Sequence, residues 1–126
     1  MIRLTHDTPI LIAVEPANFR SGIDGFAALT RERLGHDPRD GTLYVYTNRA
    51  RTMIRALVYD GSGFWLMTKR LSRGRFGHWP RADEPVAPAT ARALRALLDG
   101  GPWQPGAGAT VGAEDGTGVE RPAMAA

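Results

Sequence analysis

The sequence contains no cysteine, a single lysine and no long hydrophobic run. The first absence excludes a disulfide framework, thiolate metal sites and cysteine nucleophiles, and leaves nothing to suggest secretion. Serine is scarce: Ser21, Ser62 and Ser72 are the whole set, and none stands in a GxSxG turn. Glycine is plentiful, at 15 residues, yet neither the GxxxxGKS/T nor the GxGxxG phosphate-binding pattern occurs. His6, His36 and His78 lack the HxH or HxxxH spacing that places two imidazoles on one metal. The apolar stretch from Pro9 to Val14 is too short to span a bilayer and runs into Glu15 and Pro16 rather than a small-residue cleavage site. Together these absences leave no seat for catalysis, no cofactor or metal site and no membrane attachment, and the expected location is cytoplasmic.

What is present is unevenly distributed. Apolar residues make up 43% and charged residues 23% of 126, ordinary proportions for a soluble chain with room for one domain and one modest core. The net charge of +3 hides a strong asymmetry. From Arg49 to Arg81, Arg49, Arg51, Arg55, Lys69, Arg70, Arg73, Arg75 and Arg81 face only Asp60, giving +7 against −4 for the remainder. Such a basic stretch implies a polyanion or an acidic protein surface as partner. Fifteen of the sixteen basic residues are arginine, whose planar fork suits phosphate and carboxylate, although a genome rich in guanine and cytosine favours arginine codons too.

Periodicity divides the chain into elements. Ile10 to Val14, between two prolines, reads as a short buried strand. Ile23, Phe26, Ala27, Thr30 and Leu34 recur at helical spacing, with Ser21 and Asp24 resembling a capping box and Gly35 placed for a left-handed C-cap. Asp37 to Gly41 is a turn. Thr42 to Thr47, Thr52 to Tyr59 and Phe64 to Leu71 each alternate with a period of two, joined by the short polar links Asn48 to Arg51 and Asp60 to Gly63. That pattern predicts an antiparallel meander whose core is built by Leu43, Val45, Ile54, Val58, Phe64 and Leu66. Residues 73–80 form an irregular arm. A second helix is expected from Pro88 at its first position, through Ala91, Leu94, Leu97 and Leu98, to Gly100-Gly101, with Trp103 packed beside it. From Pro105 onward the periodicity is lost and a disordered tail is expected.

Two kinds of chemistry deserve a test against these elements. Asp24, Asp37, Asp40 and Asp60 are the acids available for a metal-dependent nuclease, but Asp24 sits at a helix start and the other three lie in turns that favour aspartate for local backbone bonding. Arg20-Ser21-Gly22 opens a helix where an anion is favoured, yet Asp24 already brings negative charge to that turn. The basic arm is the stronger candidate: Arg70, Arg73 and Arg75 can neutralise phosphates while Phe76 and Trp79 offer rings for unpaired bases to stack on. The alternative is that both rings fold back over the sheet and leave only the arginines outside.

The ordered residues resemble a known family. Phe19-Arg20-Ser21-Gly22-Ile23-Asp24-Gly25-Phe26-Ala27-Ala28-Leu29, Asp37-Pro38 with Gly41-Thr42-Leu43-Tyr44-Val45-Tyr46, Ile54 through Tyr59-Asp60-Gly61-Ser62-Gly63 to Lys69-Arg70-Leu71, Gly74-Arg75-Phe76 and Trp79-Pro80 occur in unchanged order. This series, from about residue 5 to Trp103, is similar to the accessory protein encoded by the second reading frame of insertion-sequence family sixty-six elements. The resemblance implies a helper in transposition that acts beside a separate transposase and other element-encoded proteins, and it brings no catalytic residues with it. The chain departs from the usual pattern at Asn18, at Ser21 and by one extra residue between Phe76 and Trp79.

The expectation is therefore an α+β protein: a short N-terminal strand, a helix, a three-stranded antiparallel β-meander and a C-terminal helix in one domain over residues 1–104, then a disordered tail over 105–126. The expected contact set is Arg49, Arg51, Lys69, Arg70, Arg73, Arg75, Phe76, Trp79 and Arg81, meeting DNA, the transposase or both. A protein–protein adaptor without DNA contact and a cryptic metal-dependent nuclease are the competing readings.

Overall fold

The computed structural model describes residues 7–101, so His6, Trp103 and the expected tail lie outside the described residues. The element order is β1 (Ile10–Ala13), α1 (Ile23–Glu32), β2 (Leu43–Thr47), β3 (Met53–Tyr59), β4 (Phe64–Arg70), β5 (Val86–Ala89) and α2 (Ala91–Leu98). The β-branched and aromatic alternation of β2 to β4 folds as two hairpins, with Tyr44 opposite Leu57 and Leu57 opposite Leu66. The meander is thus present, but as part of a larger mixed sheet of order β4-β3-β2-β1-β5. β1 lies parallel to β2, Ile10 beside Leu43 and Ile12 beside Val45, with α1 as the crossover between them.

β5 is the element that the sequence reading missed. It pairs antiparallel with β1, Ile12 opposite Ala87 and Leu11 opposite Pro88. Pro88 was expected to begin the second helix, whereas it sits in an edge strand. The bond from Val14 N to Pro85 O fixes the ladder phase, so that odd-numbered residues of β5 face β1 and Pro88 presents its missing N–H to the outside. The helix begins instead at Ala91, capped by Thr90, whose hydroxyl accepts the N–H of Ala93 at 3.0 Å.

The single core expected from the meander is in fact two buried layers, one on each face of the sheet. Ile10, Ile12, Leu43, Val45, Ile54 and Val58 pack with Leu94 and Leu97 of α2 and with Phe76 and Trp79. On the other face Tyr44, Tyr46 and Leu57 pack with Phe26 and Ala27 of α1, joined by Phe64 and Leu66. Phe64 and Leu66 therefore belong to the α1 face, because the β3–β4 register sets Val58 against Trp65 and Ala56 against Met67. Tyr44 and Tyr46, which alternation sets on the face of β2 opposite Leu43 and Val45, are fully enclosed as well. Each keeps its hydroxyl satisfied, Tyr46 with Thr30 and Tyr44 by donating to Asp40 Oδ2 at 2.7 Å.

The first helix also starts differently. Gly22 is its N-cap and no side chain caps it, so Ser21 does not form the expected capping box. Ser21 stays close because residue 25 is glycine: a Cβ there would come within 2.6 Å of the Ser21 Cβ. Gly35 adopts φ +72° just past the helix, where the N–H of His36 reaches back to Thr30 O.

Candidate partner-binding surface

Strand direction gathers the basic residues. β1 and β2 are parallel, and β4 runs the same way because both it and β2 are antiparallel to β3. Their carboxyl ends share one edge of the sheet, which receives the β1–α1 connector with Arg20, the β2–β3 turn with Arg49 and Arg51, and the end of β4 with Arg70, Arg73 and Arg75. All of these are exposed except Arg51, which is half-buried. Asp37, Asp40 and Asp60 precede β2 or follow β3 and so lie at the opposite edge. Acids are present on the basic side as well: Glu15 follows β1, and Asp83 and Glu84 precede β5, which places them toward the β1–β5 flank. The basic corner proper is the β2–β3–β4 half.

The corner has a fixed frame. The Asn48 side chain accepts the backbone N–H of Thr52 at 2.9 Å and of Met53 at 3.0 Å, closing the β2–β3 turn. Within it Arg51 takes φ 59°, a left-handed conformation that a residue with a Cβ adopts only when its surroundings enforce it. Leu71 N donates to Thr52 O at 2.9 Å and Phe76 N to Arg51 O at 2.7 Å. Ser72-Arg73-Gly74-Arg75 is therefore a short loop stapled at both ends to adjacent residues of the turn, with Gly74 at φ +72° allowing its tight bend.

Phe76 and Trp79 are the anchors of this arrangement rather than part of its exposed surface. They are 1% and 5% exposed, and the Trp79 indole N–H donates to Ala13 O at 2.9 Å inside the α2-side core. Both rings leave the set of exposed contact groups, because they complete the same buried layer as Leu94 and Leu97 of α2. Lys69 is exposed but engaged: its Nζ donates to Leu98 O at 2.8 Å, a cation on the carbonyl end of α2. Arg81 is exposed beyond Pro80.

Arg55, grouped with the basic stretch by charge alone, turns out to be a clamp. Its Nε donates to Thr68 Oγ1 at 2.9 Å, and its Nη1 to Phe19 O at 2.7 Å and Ser21 O at 3.0 Å. Its guanidinium lies 4.9 Å from the Phe19 ring centroid and 5.7 Å from that of Phe26. The β1–α1 connector is thereby pinned to the α1 face of the sheet. No periodicity signals such a role; only the odd position of an arginine in a strand with Leu57 and Tyr59 on the same face hints at it.

The acids do not converge. Asp37 Oδ1 accepts Arg39 N and Asp40 Oδ1 accepts Thr42 N, each a local turn bond. Burial pushes the Asp40 carboxyl up, but the hydrogen bonds from Thr42 and Tyr44 together hold it below its ordinary value. Burial also pushes the Tyr44 hydroxyl up, reinforced by its bond to Asp40. Asp60 accepts the N–H groups of Ser62 and Gly63 and the Trp65 indole at 2.9, 3.0 and 2.8 Å, and these bonds, that of Ser62 first, hold it well below the usual carboxylate range. Among the described residues no group of three or more His, Asp or Glu is placed to hold a metal ion, and no helix is long and apolar enough to cross a membrane.

Comparison with known proteins turns on the same elements. No solved structure matches this chain. Two proteins of Sinorhizobium fredii do: the uncharacterized protein y4hO, 35% identical over 95 residues that cover 75% of this chain and 82% of that one, and the uncharacterized protein y4jC, 36% identical over 83 residues that cover 66% and 71%. The family model for IS66 Orf2 like protein matches residues 8–107, spanning every strand and helix from β1 to α2 together with the stapled basic loop. With that match running the length of the described fold, the chain belongs to the IS66 Orf2-like family.

Proposed function

We propose that this protein is a non-catalytic accessory factor for transposition of an insertion sequence, acting beside a separately encoded transposase, and that its basic corner contacts the phosphate backbone of DNA in that assembly. Family membership supports the transposition setting. The observation that carries the DNA reading is the meeting of Arg49, Arg51, Arg70, Arg73 and Arg75 on one stapled edge, a density of forked cations matched to phosphates. With Phe76 and Trp79 enclosed, neither ring is free to stack on a base, and the arginine forks are read as contacts to phosphate.

Titration of an element-end duplex by fluorescence anisotropy, at several salt concentrations, tests this. Each neutralised phosphate contributes about 0.9 to the slope of log affinity against log salt, so the wild type should show a slope of roughly −3 to −4 and Arg73→Ala/Arg75→Ala one shallower by about 2. Duplex binding without a salt slope, or unchanged by that double substitution, defeats the reading. Association with transposase that survives exhaustive nuclease digestion, in the absence of duplex binding, would identify the corner as a docking surface for acidic protein groups instead.

A further inference from the structure

The two edges of the sheet are unequal. β5 is a four-residue edge strand blocked by Pro88. β4, at the other edge, has seven residues, no proline or glycine, and the exposed Trp65, at 46% of its surface. Edge strands of this length are commonly shortened, bulged or covered, because their outward peptide groups template another strand. The bonds from Leu71 N to Thr52 O and from Asp60 N to Gly63 O fix which peptides face β3: those of odd-numbered residues. The N–H and C=O of Leu66 and Thr68 therefore point outward, and among the described residues nothing bonds to them.

We infer that the occupant of this edge is β4 of a second copy of the chain, paired antiparallel about a two-fold axis through Met67. The sequence of β4 is aromatic at its start and basic at its end, and this register matches the two halves. Phe64 falls opposite Arg70 of the partner and Leu66 opposite Thr68, both with outward peptides that bond reciprocally. Trp65 falls opposite Lys69, and Met67 opposite its own counterpart, in the wider non-bonded positions. Each cationic stem thus lies across a ring. The turn holding Asp60 in one copy comes alongside the Arg70 end of the other. A parallel pairing would instead set Lys69 against Lys69 and Arg70 against Arg70. The product is a continuous ten-stranded sheet, with both α1 helices on one face and both α2 helices on the other. This inference does not depend on the proposed DNA contact.

The absence of native cysteine makes the test direct. Met67→Cys places two thiols across the axis at the Cα spacing of a non-bonded pair, about 4.5 Å, within disulfide reach. Under mild oxidation of the full chain this variant should form a covalent dimer about tenfold faster than Trp65→Cys, while a mixture of Trp65→Cys with Lys69→Cys should form the mixed dimer. Sedimentation of the wild type should give twice the chain mass, and Thr68→Pro, which removes an outward N–H, no backbone bond to β3 and only the side-chain bond from Arg55 Nε, should give the single mass with the circular-dichroism spectrum of the folded chain. A wild type that stays monomeric at high micromolar concentration overturns the inference. So does a dimer that Met67→Cys fails to trap, or one that a folded Thr68→Pro retains. If Thr68→Pro does not fold, the wild-type mass and the cross-linking pattern decide.

Discussion

Replacing Arg55 by methionine separates an arginine that holds the fold from those proposed to face a partner. Methionine keeps most of the apolar stem against Phe19 and Phe26 and removes three hydrogen bonds, to Thr68 Oγ1, Phe19 O and Ser21 O. Bonds from a charged donor contribute about 1.5–3 kcal/mol each when buried, but Arg55 is only half-buried and the two freed carbonyls can be rehydrated. Discounting the sum to about a third for that exposure and adding about 0.5 kcal/mol for the lost ring contacts gives a destabilisation of roughly 2–3.5 kcal/mol. With a urea slope near 1 kcal/mol per molar for a chain of this size, the unfolding midpoint should fall by about 2–3.5 M. Arg55→Lys should recover only a minor part, because a point charge cannot fork between two carbonyls and also reach Thr68. In the DNA titration, at a temperature where the variant is folded, the salt slope should be that of the wild type. A midpoint within about 0.5 M of wild type, or a lysine variant as stable as arginine, would refute the clamp.

Trp79→Phe keeps a ring in the α2-side core but orphans Ala13 O, so thermal unfolding should show a loss of about 1–3 kcal/mol with no change in affinity for single-stranded DNA; weaker single-strand binding by the folded variant would return Trp79 to the contact surface. Asp40 and Asp60 both titrate below their ordinary values in the folded protein. Their contribution to stability is then fully present above the unfolded carboxylate value of about 4 and is lost as pH falls through the lower folded values. Melting temperatures followed downward from neutral pH should therefore drop more steeply in the wild type than in Asp40→Asn/Asp60→Asn, and identical acid profiles would show that these turn bonds carry no proton linkage.

The local periodicities of the chain were legible and its third dimension only partly so. The period of two in β2, β3 and β4 and the helical spacing of Phe26, Ala27 and Thr30 gave elements within a residue or two of those observed. β5 escaped because Val86-Ala87-Pro88-Ala89 has one β-branched residue and a proline, a combination allowed in an edge strand only when the proline lacks its N–H on the outer side, which depends on ladder phase and not on composition. The sheet faces were misassigned for a related reason. Alternation tells which residues of a strand share a face, but the pairing register tells which face of the next strand joins them, and with both faces covered by helices each alternative looks apolar. Phe64 and Leu66 are the clear instance, and Tyr44 and Tyr46 show a further limit: alternation leaves their burial open, since Asp40 and Thr30, which satisfy their hydroxyls, are distant along the chain or hidden in a turn and a helix. At the site, the concentration of charge was visible, while the division of labour within it was not. Arg55 and Lys69 are bound to backbone carbonyls far away in sequence, contacts that no local pattern encodes.

The enclosure of Phe76 and Trp79 has a consequence for the contact proposed for the remaining arginines. An arm free in solution would have to order its backbone on meeting a partner, at about 1–2 kcal/mol for each residue fixed. Here the arm leaves β4 at the Leu71–Thr52 bond, returns at the Phe76–Arg51 bond and is locked again by the Trp79 indole on Ala13, so Arg73 and Arg75 project from backbone that folding has already ordered. Only their side-chain rotamers remain to be fixed, at about 0.5–1.5 kcal/mol each. Arg51 sits on the same frame through the carbonyl that accepts Phe76, and its left-handed backbone is held by Asn48 rather than by any ligand. On the proposed reading the two buried rings therefore serve the basic surface without touching a partner: they hold the charged segment in a fixed spacing that a phosphate backbone, or an acidic protein face, would meet without first imposing order.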